Sequence, residues 1–310
     1  MTVHRLSRSE SRSVHYDWDP GRAPALEIDP GDEVMVETRS GEDSQLGPDS
    51  TTADLARVDW RRLHALSGPV AVRGAEPGDV LAVDIVALVP DRWGFVMHRP
   101  GAGVLGSPAT YLRTCEIDVD AGVARFGAGL RLALHPMLGV MGVAATTPVT
   151  TRVPGRHGGN LDCRTLTTGC TVLLPVQVPG ALFSCGDGHA LQGDGEVCVT
   201  GLETAMTAHL RFRLKKREHW LLPRTEDSRA VAVLGSGATF EAAASEALAG
   251  MVGALAAQLR LAEADAYALA SLVVDIQVNQ LVNHDGDRRV VGARATLPKA
   301  RCGITGDLWR

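Results

Sequence analysis

The sequence predicts a mainly β protein of the α+β class: a β-sandwich-like body in two β halves, with a C-terminal helical hairpin. Three observations carry this. Pro-Gly-Asp turns at 30–32 and 77–79 each feed a Val-rich alternating run, the pattern of a turn entering a half-buried strand. The apolar run Thr171 to Ser184 is flanked by polar loops rich in Gly and Asp. The one convincing helical stripe of apolar residues lies in 239–272.

Up to Pro24 the chain reads as an extended arm. Ile28 to Thr38 is the first strand unit, and Glu76 to Val86 repeats its design. Between them, Arg39 to Asp54 is a polar loop longer than most connections, and such loops are often functional. Leu55 to Leu66 has an amphipathic pattern ending near His64. Trp93 to Gly103, with His98 inside it, is a Gly/Pro-rich loop, and strands continue to Val143. The polar stretch Thr146 to Gly159 then leads into the second half. The division expected is 1–150 and 151–310, packed as one compact unit.

Val197 to Leu214 reads as a strand pair and Lys215 to Arg229 as a charged loop. Ala243, Ala247, Leu248, Met251, Val252, Leu255 and Leu259 form one helical stripe, with Thr239 as N-cap. Glu263 to Leu272 is a second helix folding back on the first. The tail, Val273 to Arg310, alternates again through Val290–Leu297.

With 310 residues, 45% of them hydrophobic, the chain can bury one large core or two modest ones. A formal charge of −5 and a pI near 6.1 leave no basic footprint, so nucleic acid is not an expected partner. No apolar run reaches about 18 residues, the length of a membrane span. Met1 to Asp19 is polar without the apolar core of a signal peptide. No membrane partner and a cytoplasmic location are therefore expected. The six cysteines have no C-x-x-C or zinc-finger spacing and are expected reduced.

Chemistry concentrates in 157–196. His157-Gly158-Gly159-Asn160-Leu161-Asp162 opens the stretch, and Asp187-Gly188-His189-Ala190-Leu191-Gln192-Gly193-Asp194-Gly195-Glu196 closes it. Polar loops at both ends of a β segment would put these side chains on one rim of a sheet. Hydrolysing an unactivated amide needs an activated water, a polarised carbonyl and a proton for the amine. A divalent metal supplies the first two, because it lowers the pKa of bound water and acts as a Lewis acid. Asp162, Asp187 and His189 are the expected metal ligands. Glu196 is a further ligand or the general acid/base. A mixed His/carboxylate set suits zinc, while an all-oxygen set would suit calcium or magnesium.

Blander readings exist for each residue. Asp187 and Asp194 are ordinary turn formers, His189 could be a hydrogen-bonded structural histidine, and His157 could only orient the Gly-Gly-Asn turn. Cys163 and Cys185 beside the ligands could be nucleophiles, but no His-plus-acid partner is fixed by local spacing. His64 and His98 could reach the site from the first half.

The run 157–162, then Leu174-Pro175-Val176-Gln177-Val178-Pro179-Gly180-Ala181-Leu182-Phe183-Ser184-Cys185-Gly186-Asp187-Gly188-His189-Ala190, then Gln192 to Val197, resembles the acetamidase/formamidase family. The resemblance extends through Ser67 to Leu81, Gly139 to Ala145, Ala238-Thr239 and Glu263 to Asp275. It implies hydrolysis of a short aliphatic amide such as formamide or acetamide to carboxylate and ammonia, by a metal-dependent, β-rich enzyme that is commonly a homo-oligomer. The expected catalytic residues are Glu196, Asn160 and His157, with Asn160 and the backbone N–H groups of Gly158-Gly159 steadying the oxyanion. Cys163-Arg164-Thr165, Cys170 and Cys185 depart from the family pattern, which bears on the substrate more than on the reaction. Two other readings stay open: a same-scaffold hydrolase for a larger amide, and a calcium-stabilised binding module.

Overall fold

The computed structural model describes residues 1–309; Arg310, the end of the expected tail, lies outside them. The chain forms two β-sheets and, beside one of them, a pair of helices. The nine-stranded sheet runs in the order Val3–Leu6, Glu33–Glu37, Met206–Lys215, Val80–Pro90, Thr171–Pro175, Arg224–Glu226, Ala230–Gly237, Arg288–Pro298, Asp275–Asp285. At the centre of the twelve-stranded sheet, Phe183–His189 pairs with Met137–Gly142 on one side and with Leu66–Val72 and Glu203–Thr204 on the other. Both sheets draw strands from either side of residue 150.

The alternation in the strands decides the layering. Along Val80–Pro90, Leu81, Val83 and Ile85 face a core shared with Leu138, Met141 and Phe183 of the other sheet. Val80 and Ala82 point the opposite way, into a core shared with Ala247, Met251 and Leu255, as the two-residue strand period requires. The nine-stranded sheet is thus the middle layer. Its outer face is covered by helix α1, Phe240–Leu259, and helix α2, Glu263–Val273. Thr239 caps α1 by accepting from the Ala242 N–H at 3.2 Å. Among the described residues, α1 alone is apolar and long enough to cross a membrane by composition, but its stripe of Ala243, Ala247, Met251 and Leu255 is buried on the sheet.

The amphipathic segment Leu55 to Leu66 does not form one helix. It breaks into 3₁₀ turns at Thr52–Arg57 and Trp60–Arg62. The cause is local: Asp54 accepts from Thr51 N and Oγ1, and Asp59 accepts from Arg61 N. Short acidic side chains so placed cap each turn and compete with helix continuation. The apolar run Thr171 to Ser184 also divides, with Thr171–Pro175 joining one sheet and the strand from Phe183 joining the other.

Candidate active site

The Asp187-Gly188-His189 triplet forms the last three residues of a central strand rather than a loop, and all three are buried. That corrects the expected placement. Because side chains two apart on a strand share a face, Asp187 and His189 project together. Strand register sets Glu203 opposite His189, and His189 Nε2 lies 3.0 Å from Glu203 Oε1 and 3.5 Å from Asp187 Oδ2.

Asp162 arrives from the turn after the strand Gly158–Asn160, where its own N–H donates to the Gly139 carbonyl at 3.0 Å. Glu196 comes from the loop between the two paired strands. The tail strand Asp275–Asp285 holds that loop, since Gly195 N donates to Asn279 O at 2.8 Å and Leu281 N to Gly195 O at 3.0 Å. The result is two overlapping sets that could hold a metal ion: Asp162, His189 and Glu196, and Asp187, His189 and Glu203, each with ligand atoms within 4.8 Å of one another.

The backbone is shaped for this crowding. Asp162, Asp187 and Glu196 all adopt left-handed conformations, with φ of 40°, 56° and 47°. Such positions cost non-glycine residues on the order of 1 kcal/mol or more and gather at functional sites. Gly139 makes room beneath the carboxylates: a Cβ there would lie 2.7 Å from Asp162 Oδ1 and 2.9 Å from Asp187 Oδ2.

Hydrogen bonds fix the histidine. Gln192 Nε2 donates to the Asp162 carbonyl at 2.8 Å, which turns its Oε1 toward His189 Nδ1, also at 2.8 Å. An amide oxygen only accepts, so Nδ1 carries the proton and the second nitrogen, Nε2, faces carboxylates. Nε2 has no hydrogen-bond donor to satisfy it among the described residues. A nitrogen lone pair aimed at acids calls for a proton or a cation between them. Asn160 and Asn283 brace the other set: with its nitrogen turned to Asp162, the Asn160 amide donates to both carboxylate oxygens at 3.2 and 3.0 Å and accepts from Asn283 at 3.0 Å.

The electrostatics are those of acids crowded around one buried imidazole: burial opposes its charge, but Glu203 and Asp187 raise the His189 pKa well above the usual imidazole range. Burial and then the charge of Asp187 push the Asp162 carboxyl up to about 7. Burial also raises Glu203, to about 8, and raises Glu196 well above the carboxylate range with Asp162 adding to it. Burial works against the Asp187 anion as well, but His64 and His189 override it and hold its pKa low. Clustered buried acids cannot all ionise unless a cation joins them. The His-plus-carboxylate donor set therefore fits a divalent ion.

The cluster opens on a cavity of about 130 Å³ lined by Asn160, Asp162, Asp187, Glu196 and Glu203, with Glu42, His64 and Asn283 beside them and Trp60, Phe95 and Met97 on an apolar wall. His64 Nε2 is 3.9 Å from Asp187 Oδ2. His157 stands apart: its ring packs edge-on against Trp18 at 5.3 Å, burial lowers its pKa to about 4, and it does not line the cavity. His98 stacks on Tyr111 away from it. Asp194 pairs with Arg294 at 2.8 Å. Cys163 and Cys185 are buried free thiols outside the cavity lining, and burial pushes Cys185 up to about 12.

Sequence reasoning missed Glu203 and Glu42. Glu203 carried a weak signal, a lone acid in the stretch Leu202-Glu203-Thr204-Ala205-Met206. Glu42 lay within a loop already polar throughout, so nothing local distinguished it.

The model of the acetamidase/formamidase family matches residues 2–153 and 144–287. This chain belongs to that family. The match takes in every cavity residue named above. A putative formamidase of Schizosaccharomyces pombe is 30% identical over 270 residues, covering 67% of this chain and 65% of that relative, so the chain spans just under two thirds of its length. Among solved structures, a predicted acetamidase/formamidase from Thermoanaerobacter tengcongensis superposes with a TM-score of 0.90 at 31% identity, covering 98% of this chain and 99% of that one. An acetamidase from Bacillus halodurans gives 0.89 at 32%, covering 98% and 100%. For an acetamidase/formamidase chain, the family resemblance drawn from 157–197 thus rested on the stretch that supplies most of the acidic cluster.

Proposed function

We propose that the protein is a metal-dependent amidohydrolase that cleaves the C–N bond of a short linear amide, adding water across it to give a carboxylate and ammonia. The observation that carries this reading is the convergence of two carboxylate sets on His189 Nε2 in a small cavity. Family membership and relatives named formamidase and acetamidase support it. Asp162, Asp187 and His189, joined by Glu203, would hold the ion, and the mixed nitrogen and oxygen donors favour zinc over calcium or magnesium. When bound, such an ion makes water reactive near neutral pH and polarises a carbonyl.

The chain's own residues do the rest. Glu196, with a raised pKa, can carry a proton to the departing amine. Asn160 has its amide donors on Asp162, so it positions that carboxylate, and Gly158-Gly159, paired on both sides and outside the cavity lining, is not given the expected oxyanion role. Gln192 keeps the His189 ring turned so that Nε2 faces the carboxylates. The cavity, smaller than the 300–1,000 Å³ usual for drug-sized ligands, selects short substrates.

The test is ammonia release from a panel of amides, before chelation, after it and after metal is restored. Release that stops and returns supports the reading. Release indifferent to chelation removes the metal, and no release from any amide, with metal still raising the melting temperature, favours a binding module. Self-association, implied by the family resemblance, is measured by light scattering.

A further inference from the structure

Two arginines share the cavity with the acidic cluster, and among the described residues no carboxylate neutralises them. Arg99 directly follows the strand Trp93–His98, which the sequence alone suggests is a loop, and Arg152 comes from the polar stretch 146–159; the hydrolytic cluster assigns neither arginine a role. The cavity's salt bridges join His64 and His189 to Asp187 and Glu203; among the described residues, Arg99 and Arg152 make none. The guanidinium of Arg99 lies 4.7 Å over the Trp60 ring, and its Nε is buried without a hydrogen-bond partner. Arg152 donates to the Trp60 carbonyl and, among the described residues, its side chain has no other protein acceptor.

The two cations feel each other. Burial, and then the charge of Arg152, lowers the Arg99 pKa. Half-buried like charges without a counterion are costly, and proteins normally pair them. Several carboxylates line the same cavity, yet none is used for this purpose. A neutral amide such as acetamide would leave both guanidiniums unpaired. A carboxylate brought in by the substrate would satisfy both, since the planar fork of arginine matches its two oxygens.

We propose that the substrate is a short acidic amide, with the reacting amide at the acidic cluster and a carboxylate at its other end held between Arg99 and Arg152. This rests on the amidase reading and narrows its substrate class. Size agrees: a cavity of about 130 Å³ is close to the ~150 Å³ that accommodates benzene, so the two functional groups are separated by only one or two carbons, as in malonamate or succinamate.

The experiment compares kcat/KM for malonamate and succinamate with that for propionamide and butyramide, in the metal-loaded wild type and in Arg99→Gln and Arg152→Gln. The wild type is expected to prefer the acidic amides at least tenfold, and the preference is expected to collapse at least tenfold in either variant. Preference for the neutral amides, or a ratio that neither variant changes, overturns the inference and leaves the amidase reading standing. If no amide is hydrolysed, that reading fails, and binding of succinate against butyrate decides the arginine pair separately. Tighter succinate binding that is lost in both variants keeps the anion site; equal binding removes it. Arg99→Lys, which retains the charge, should restore part of the preference, which separates lost recognition from a damaged fold.

Discussion

Asn283 Nδ2 donates to Asp162 Oδ2 at 2.8 Å, joining residues 121 positions apart in the chain. The strand Asp275–Asp285 from the end of the chain thereby orients a carboxylate delivered by the central loop, the role that outer partners play around metal ligands. Asn283→Ala should weaken metal binding about 10–100-fold while the melting curve of the chelated protein stays close to wild type. Titration with a competing chelator measures it; unchanged affinity would detach Asn283 from the site.

Gly139 carries a second prediction. The Cβ of an alanine there would press on Asp162 Oδ1 and Asp187 Oδ2 together, and the acids could yield only by shifting toward the cavity they line. Displacing catalytic geometry by around 1 Å can cost on the order of a hundredfold in rate, so Gly139→Ala should lose roughly that much turnover. Steady-state kinetics beside a far-UV spectrum checks it, and wild-type turnover would show that the cluster tolerates the shift.

The third concerns acid stability. His15 and His157 have pKa values lowered from 6.5 to about 4, His15 by burial and then the charge of Arg22, His157 by burial. The unfolded chain binds these protons at about 6.5 and the folded chain only near 4, so unfolding takes up protons between those values. Stability is therefore lost as pH falls through that window, and above 6.5 neither group contributes. Each histidine accounts for at most about 3 kcal/mol. Urea midpoints between pH 7.5 and 4 should fall more steeply for the wild type than for His157→Gln; parallel curves would contradict the assignment.

What the sequence revealed follows from which interactions are local. The Pro-Gly-Asp turns, the Thr239 cap and the stripe on α1 are encoded within a few residues, and each appears where its pattern lies. Asp162, His189 and Glu196 were readable because their polar residues stand close together in the chain. Glu203 reaches His189 only through strand register, Glu42 and His64 only through packing of the first half, and Asn283 only through the tail strand. No local periodicity reports such pairings. The strand placement of Asp187 and His189 was obscured for a related reason: glycines and acids look like turn residues until two neighbouring strands bury them.

The central claim is that a divalent ion bound through His189 makes the cluster hydrolytic. Metal content by mass spectrometry, on wild-type protein and on His189→Ala purified without added metal, tests this most directly when read beside ammonia release. At least one divalent ion per wild-type chain is expected, with metal and ammonia release both lost in the variant. A wild type that hydrolyses amides with no stoichiometric metal, or a His189→Ala protein that keeps both ion and turnover, would contradict it.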